Sequence, residues 1–453
     1  MKSLTMFCIL VGCIAPAFLS GCAIDITGSA LSPFDRPPTC YLAAHPADIL
    51  VGQSTTITCT ASDVDSDAIS YAWHAPVGCT LEGDGAQVQA SPSHSGFFYV
   101  SVTVSDKDGE FTAGIAIGVA QRNAPDSLWT RPVSTGMEFI VGDVVVTSDG
   151  GYGVVGNEEC YLPHSCCSMI MVTDVDLQLL WTAEGAPRTV FRALAQAHDG
   201  GFIVVGSVTD SLAHPNHISV SCYDPPGECE WQRQYGVNPW DVAYGIVPVN
   251  DSTFVVWIGT ELLWVTARGD TLRKCSVSSY LLCGHLTAMP NGDIVAVAIK
   301  DSASGRFLDI TRVNADGALL WRRLYRGYYA ALGVAASPTP DGGLMIVQAD
   351  DMIRVNAYGD TLWQRKCFYG NTWSLAGFKD VLVDEQGYLL AGHSDRTLVG
   401  RDGSLVVRTD YEGNLVWYHS TNDFEYARKI LCQTDGSLVV LHGRDHLTKF
   451  AAE

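Results

Sequence analysis

An apolar strand that directly follows a turn recurs seven times between residues 149 and 441. The copies start about 40 to 52 residues apart and read DGGYGVVG, DGGFIVVG, NDSTFVVWIG, NGDIVAVA, DGGLMIV, EQGYLLAG and DGSLVVL. Strands that are buried on both faces read as continuous apolar runs of this kind. A period of this length is typical of a β-propeller with four strands per blade, so seven copies predict seven blades.

A hairpin lies between successive apolar runs, and most of its copies end in tryptophan. A large ring at the same place in every blade can pack against the next blade, and its truncation to alanine would cost about 3–5 kcal/mol. We therefore interpret these rings as structural rather than as a ligand cage. The predicted blade-docking residues are Trp129, Trp181, Trp231, Trp321, Trp363 and Trp417.

Two departures from the repeat bear on how the ring is built. The third hairpin, WVTARGDTLR, has Arg273 where the others have tryptophan, and we interpret its RGD as the hairpin turn rather than as an adhesion motif. The repeat region opens with DSLWTRPV, and the last repeat stops after DHLTKF without a tryptophan strand. The opening strand is therefore predicted to complete the seventh blade, which would leave no open sheet edge.

A smaller β-sandwich is predicted over residues 39–121, where QSTTITCTAS and FFYVSVTVSD alternate polar and apolar residues. Asp63, Asp65 and Asp67 alternate along one turn, and Asp106 and Asp108 follow in a second turn. Carboxylates in this arrangement are candidate Ca²⁺ ligands. Aspartates are also frequent in turns that bind no metal, so both interpretations stay open.

The first 22 residues predict a targeting segment, with Lys2 before the apolar stretch MFCILVGCIAPAF and LSGC at its end. Residues 23–38 predict a tether. We find no second stretch of 18 apolar residues, so we expect nothing else in the chain to span a bilayer. A formal net charge of −21 argues against nucleic acid as a partner and against a polybasic membrane contact.

Cysteine usage predicts disulfides in an oxidising compartment. Of 15 cysteines, the targeting segment with its terminal Cys22 accounts for three, which leaves 15 − 3 = 12, an even number. Zinc lacks support, because no CxxC pairs are present. Cys160, Cys166 and Cys167 leave their pairing open. The local candidate pairs are Cys222 with Cys229, Cys275 with Cys283, and Cys40 with Cys59.

Three resemblances to known families follow from these motifs. The segment ending in LSGC resembles a bacterial lipoprotein signal peptide, which implies lipidation of Cys22 and, with Ala23 next, anchoring to the outer membrane of the cell envelope, facing the periplasm or the surface. DVDSDAISYAWHA with SHSGFFYVSVTVSDKDGEFTA resembles a PKD or related Ig-like module. The strand, turn and tryptophan pattern resembles PQQ-like (quinoprotein-type) propeller repeats. No quinone ligand can be matched residue by residue.

The sequence thus predicts an all-β chain with a PKD/Ig-like sandwich at 39–121 and a seven-bladed β-propeller at 124–453. The motifs G-x-S-x-G and H-E-x-x-H are missing, so we assign no catalytic residue and no cofactor other than the Ca²⁺ candidate. The expected role is non-catalytic binding or scaffolding, with a protein or glycan partner and membrane contact through the lipid anchor only. The alternatives are a propeller enzyme (PQQ-dependent dehydrogenase, lyase or glycosidase type) and an outer-membrane assembly factor.

Overall fold

A computed structural model describes the chain from residue 37 to residue 453. The gaps in this range are residues 65, 134–138, 159–167, 212–213, 236–241, 278–280, 303–304, 327–332, 367, 370–376, 395–402 and 422–425. The described residues form strands, turns and irregular segments, which confirms the predicted all-β class. Within this part of the chain we find no helix of the length and apolarity that a membrane crossing requires.

The first eight strands build a two-sheet sandwich. They are β1 (Thr39–His45), β2 (Asp48–Leu50), β3 (Thr55–Ser62), β4 (Ser70–His74), β5 (Cys79–Glu82), β6 (Gln87–Pro92), β7 (Gly96–Ser105) and β8 (Glu110–Ala120). One sheet has the order β1-β3-β6-β5, and in the other β7 pairs with β4 and β8. Apolar residues that alternate along these strands meet between the sheets, where Ile57, Phe98 and Ile117 are fully buried.

The remaining strands build seven four-stranded sheets, numbered here as blades 1 to 7. Strand β9 (Ser127–Pro132) comes first. Blade 1 consists of β10 (Phe139–Val146), β11 (Tyr152–Glu158), β12 (Ser168–Thr173) and β13 (Leu179–Glu184), and blade 2 of β14 (Thr189–Gln196), β15 (Phe202–Ser211), β16 (His214–Tyr223) and β17 (Cys229–Tyr235). Blade 3 consists of β18 (Ala243–Asn250), β19 (Thr253–Ile258), β20 (Glu261–Thr266) and β21 (Thr271–Ser276).

Blades 4 to 7 follow the same plan. Blade 4 consists of β22 (Leu281–Ala288), β23 (Ile294–Ser302), β24 (Gly305–Val313) and β25 (Leu319–Arg326), and blade 5 of β26 (Ala335–Pro338), β27 (Leu344–Gln348), β28 (Asp351–Val355) and β29 (Thr361–Lys366). The short strand β30 (Phe368–Tyr369) follows, and blade 6 consists of β31 (Gly377–Asp384), β32 (Gly387–Ser394), β33 (Gly403–Thr409) and β34 (Leu415–Ser420). Blade 7 contains β35 (Ala427–Cys432), β36 (Leu438–His442) and β37 (His446–Phe450).

The ring closes as the sequence predicts, because the fourth strand of blade 7 is β9. This strand precedes blade 1 in the chain and pairs antiparallel with β37, Trp129 lying opposite Lys449. At the junction, Trp129 of blade 7 and Leu177 of blade 1 pack against one buried cluster, which contains residues of both blades. The Nη1 of Arg131 also donates to the carbonyl oxygen of Asp176, at 3.0 Å. Seven blades and closure by the opening strand are therefore confirmed.

The outer-strand tryptophans of blades 1, 2, 4 and 5 lie against the hairpin turn of the following blade. A Cβ atom built on Gly359 of blade 5 would come within 2.9 Å of the Trp321 ring of blade 4, so only glycine leaves room for the ring there. The Trp321 Nε1 donates to the carbonyl oxygen of Ala357 in the same turn, at 2.9 Å. The same ring-on-turn contacts join Trp181 to Gly227, Trp231 to Gly269 and Trp363 to Gly413.

Blade 3 preserves this contact although Arg273 replaces its outer tryptophan. Trp264 lies directly opposite Arg273 on the neighbouring strand β20. Its ring reaches within 3.2 Å of the position where Gly317 of blade 4 would carry a Cβ atom. The Arg273 guanidinium lies over that ring and donates to Asp316 at 2.9 Å. The aromatic ring has thus moved one strand inward while its packing partner stayed the same.

The sandwich docks on the outer strand of blade 6. Main-chain N–H groups of Gln121 and Arg122 both donate to the carbonyl oxygen of Val416, at 2.8 and 3.1 Å. The rings of Phe97 and Tyr418 lie 4.8 Å apart, and β30 adds to β7 as a parallel strand. Trp417, which precedes Tyr418 and donates from Nε1 to Glu453, is buried in the separate cluster between blades 6 and 7.

We expect Trp321→Ala to lower the free energy of unfolding by about 3 kcal/mol, because it opens a cavity between blades 4 and 5. The matched control is Leu319→Ala on the same strand, where the side chain is 61% exposed and the cost should stay within about 0.5 kcal/mol. Urea unfolding followed by tryptophan fluorescence and by circular dichroism measures both variants. Equal costs in the two variants would contradict the docking role of the ring.

Candidate functional site

The innermost strands of the seven blades surround a central channel, and their pairing defines which residues lie at the same depth. The seventh residue of each apolar repeat, or the eighth in the third repeat (Val155, Val205, Trp257, Val297, Val347, Ala391 and Leu441), pairs with one residue of the inner strand. We call these partners the lower layer. They are Asp143, Ala193, Gly245, His285, Ala335, Asp380 and Lys429.

The residue before each of these forms what we call the upper layer. Its members are Gly142, Arg192, Tyr244, Gly284, Val334, Lys379 and Arg428. In blades 1, 2, 3, 6 and 7 the ladder to the second strand skips the upper-layer residue, which is therefore a β-bulge. A bulge redirects the local side chains. In these five blades both layers line one cavity of about 540 Å³ in the channel.

The upper layer contains three cations and no acidic residue. Arg428 donates from Nη1 to the carbonyl oxygens of Val141, at 2.8 Å, and of Gly443, at 3.3 Å. Burial lowers the pKa of the Lys379 ammonium and that of the Arg428 guanidinium, since both are partly removed from water. Arg192 is more exposed than either.

The lower layer contains the acidic groups of the channel, and the protein itself engages both. Lys429 forms an ion pair with Asp143 through Nζ and Oδ1. The other carboxylate oxygen of Asp143 accepts from the N–H of Leu194 in the next blade at 3.3 Å, and Asp380 likewise accepts from the N–H of Ile430 at 2.9 Å. Each aspartate thereby ties its blade to the following one.

Two lower-layer groups have displaced pKa values. Burial raises the pKa of Asp380 to about 6, an effect that the positive charge of Lys429 partly opposes. Burial also lowers the pKa of His285 to about 4, with a further contribution from Lys429, so its imidazole is neutral at pH 7. The described residues that line this cavity include no serine, threonine or cysteine.

Sequence reasoning missed this channel, although a signal for it exists. The stretches VFRALAQ, GFKDVLV and YARKILC place charged residues inside otherwise apolar inner strands. The sequence of one blade gives no information on the position of another blade, so the pattern could not show that these residues lie at the same depth of the channel. The predicted blade-docking tryptophans and the predicted Ca²⁺-binding aspartates lie in other parts of the molecule.

The aspartates predicted as Ca²⁺ ligands lie at one end of the sandwich. Asp63, Asp67 and Asp106 each place one carboxylate oxygen within 4.8 Å of the others, while Asp65 lies outside the described residues. The Oδ1 of Asp106 accepts from the N–H groups of Asp108 and Gly109, at 2.7 and 2.9 Å. The Lys107 ammonium lies 3.1 Å from Asp67 Oδ2, so a cation would have to displace it.

The structure brings some of the predicted cysteine pairs together. Cys40 and Cys59 are diagonal neighbours on β1 and β3 and share a hydrogen bond between their thiols. Cys229 lies opposite Tyr223, the residue after Cys222. All described cysteines are free thiols in this structure.

The pair Cys275 and Cys283 is not brought together. Cys275 packs into the cluster between blades 3 and 4, whereas Cys283 packs into the cluster between blades 4 and 5, on the other side of the blade 4 sheet. Cys22, Cys160, Cys166 and Cys167 lie outside the described residues.

These features define an all-β protein in which a small sandwich precedes a seven-bladed β-propeller. The PKD domain family matches residues 42–119, which identifies the sandwich as a PKD domain. In a comparison with curated proteins, none matches the sequence of the chain.

Two of the solved structures that are similar to this chain are propellers. A streptogramin B lyase is similar over 72% of this chain and 98% of its own, at 13% identity and a TM-score of 0.51. YCF48 bound to D1 peptide is similar over 74% and 97%, at 13% identity and a TM-score of 0.48. At such identities the likeness shows the fold alone.

Proposed function

We propose that this chain is an exported, envelope-anchored binding module that holds a ligand in the central channel of its propeller. The observation that carries the proposal is the upper layer, where Arg192, Lys379 and Arg428 reach the same depth from three blades and line one cavity. Side chains on sheet strands are held more rigidly than side chains on loops, which favours a preformed site. The ligand is a segment or fragment of an envelope glycan or protein.

Two further observations support binding without turnover. Both lower-layer carboxylates are engaged by backbone N–H groups of the neighbouring blade, so they already serve the assembly of the ring. The sandwich is fixed to blade 6 by main-chain hydrogen bonds and apolar packing, which gives the two domains a defined relative position. A rigid pair of domains suits presentation of a bound ligand at the envelope.

The first test screens the full chain, purified in detergent, against arrays of envelope glycan fragments and peptides. We expect at least one probe to bind the wild type and to be lost by the double variant Arg192→Gln/Lys379→Gln. Arg326→Gln on the outer strand of blade 4 is the matched control and should bind as the wild type does. Binding that the double variant keeps would place the site outside the channel.

Mass spectrometry of the recovered probe separates binding from catalysis. An unchanged mass supports the binding module. A changed mass would instead favour the second candidate, an enzyme that uses Asp380 for proton transfer, since a carboxyl group with a pKa of about 6 can give and take protons near neutral pH. The lyase among the similar structures shares the fold at 13% identity and assigns no reaction to this chain.

Envelope anchoring rests on the first 22 residues, which end in LSGC. Wild-type chain expressed in a bacterium should incorporate an alkyne-labelled fatty acid and sediment with membranes, whereas Cys22→Ser should do neither. Cys13→Ser, inside the segment that cleavage would remove, is the matched control and should behave as the wild type does. Equal labelling of the Cys22→Ser variant would contradict lipidation at this position.

The Ca²⁺ site of the sandwich is proposed at Asp63, Asp67 and Asp106, with Asp65 next to them in sequence. A cation that binds only the folded chain raises its melting temperature. We expect millimolar Ca²⁺ to raise the melting temperature of the wild type and to have no effect on Asp106→Asn. Asp84→Asn, an exposed position on the same domain, is the control and should keep the Ca²⁺ response. A response that survives Asp106→Asn would rule out this site.

A further inference from the structure

We propose that the upper layer of the channel binds the oxyanion group of a small organic anion, a carboxylate or a phosphate. The inference rests on the proposed binding function and names the chemistry of its ligand. The group would lie above Gly142 of blade 1, between Arg428 of blade 7 and Arg192 of blade 2, with Lys379 of blade 6 beside Arg428.

The order of the blades places the three cations on one arc of the ring. Blades 6, 7, 1 and 2 are consecutive, and they contribute Lys379, Arg428, Gly142 and Arg192 to the same layer. A Cβ atom on Gly142 would lie 2.9 Å from the carbonyl oxygen of Phe191, so the glycine lets blade 2 approach closely, and Gly142 itself lines the cavity. On blade 3 the layer continues with Tyr244, whose ring packs 4.9 Å from that of Trp257 and offers an aromatic face to the organic part of the ligand.

The charge of this layer is opposite to that of the chain as a whole. The chain has 49 acidic and 28 basic residues, whereas the upper layer has three basic residues and no acidic one. Elsewhere in the propeller, buried arginines meet carboxylates, as Arg312 meets Asp293 at 2.8 Å and Arg408 meets Asp384 at 2.6 Å. Arg428 is held by two backbone carbonyl oxygens instead. Of the described carboxylates, Asp143 of the lower layer acts on the charge of Arg428, and Asp143 is already paired with Lys429.

Burial and size favour a small anion or one anionic residue of a larger ligand. Lys379 and Arg428 are partly desolvated, as their lowered pKa values indicate, and a bound anion would favour their charged forms. The cavity of about 540 Å³ has the volume of a site for a small molecule or for one residue of a larger ligand. Guanidinium groups also match the planar geometry of carboxylate and phosphate oxygens.

The lower layer sets how strongly the anion binds. Asp380 lies next to Lys379 in the chain and lines the same cavity, where Asp143, Lys429 and the neutral His285 also face it. An ionised Asp380 would repel an anion in the layer above. Its replacement by asparagine removes this repulsion and leaves a side-chain oxygen that can still accept from the N–H of Ile430.

The test measures the affinity of the full chain for citrate, galacturonate and inorganic phosphate by calorimetry at constant ionic strength. We expect at least one of these anions to bind the wild type and to bind Arg192→Gln or Lys379→Gln about tenfold more weakly. Asp380→Asn should bind more tightly than the wild type, and Arg326→Gln should bind equally. Tighter binding in one variant and weaker binding in another cannot both result from partial unfolding.

The outcomes separate this inference from the proposed function. Affinity for the carboxylates alone, or for phosphate alone, identifies the oxyanion and supports the inference. Failure of all three anions to bind overturns it, and so does binding that neither Arg192→Gln nor Lys379→Gln weakens. If neutral glycans or peptides from the arrays still bind in the channel, the proposed function stands without the anion site, whereas loss of both signals removes the two together.

Discussion

The contact between an aromatic ring of one blade and the hairpin turn of the next is the interaction on which the rest of this structure depends. The ring buries a large apolar area, and its N–H group satisfies a carbonyl oxygen of the turn, as Trp321 does at Ala357. Because such contacts recur between most neighbouring blades, each of these blades fixes the orientation of the next. Blade 3 keeps this contact although Arg273 stands at the position of the outer-strand tryptophan. There Trp264, which lies opposite Arg273 on the neighbouring strand, supplies the ring.

Closure of the ring turns these pairwise contacts into a channel of fixed depth. With β9 in blade 7, the inner strands stand at equivalent heights, and residues far apart in the chain come to share a layer. The bulges at Arg192, Lys379 and Arg428 then add three cationic side chains to a cavity that Asp143, Asp380 and Lys429 of the lower layer also line. The charge of the channel is thus a property of the ring and not of any single blade.

Much of this architecture could be predicted from the sequence, because each of its signals is local or periodic. The number of blades follows from counting repeats, and closure follows from a tryptophan strand before the first repeat and its lack in the last. The sandwich follows from alternation within single strands. Cysteine pairing was harder to predict from the sequence. Cys275 and Cys283 are close in sequence, but the blade 4 sheet separates them. The connection from the outer strand of one blade to the inner strand of the next spans the width of a blade. Residues that are close in sequence on either side of this connection can therefore lie far apart in space.

The sequence by itself determined the class of fold, the order of the two domains and the rings that dock the blades, since these depend on residue type and spacing along the chain. Only the tertiary structure decided which side chains meet in the channel and where the sandwich docks. Gly142, Arg192, Lys379 and Arg428 are separated by up to 286 residues, counted as 428 − 142, and nothing in their local sequence indicates a common depth. That depth is set by strand register and ring closure, which arise when seven separate sheets pack around one axis.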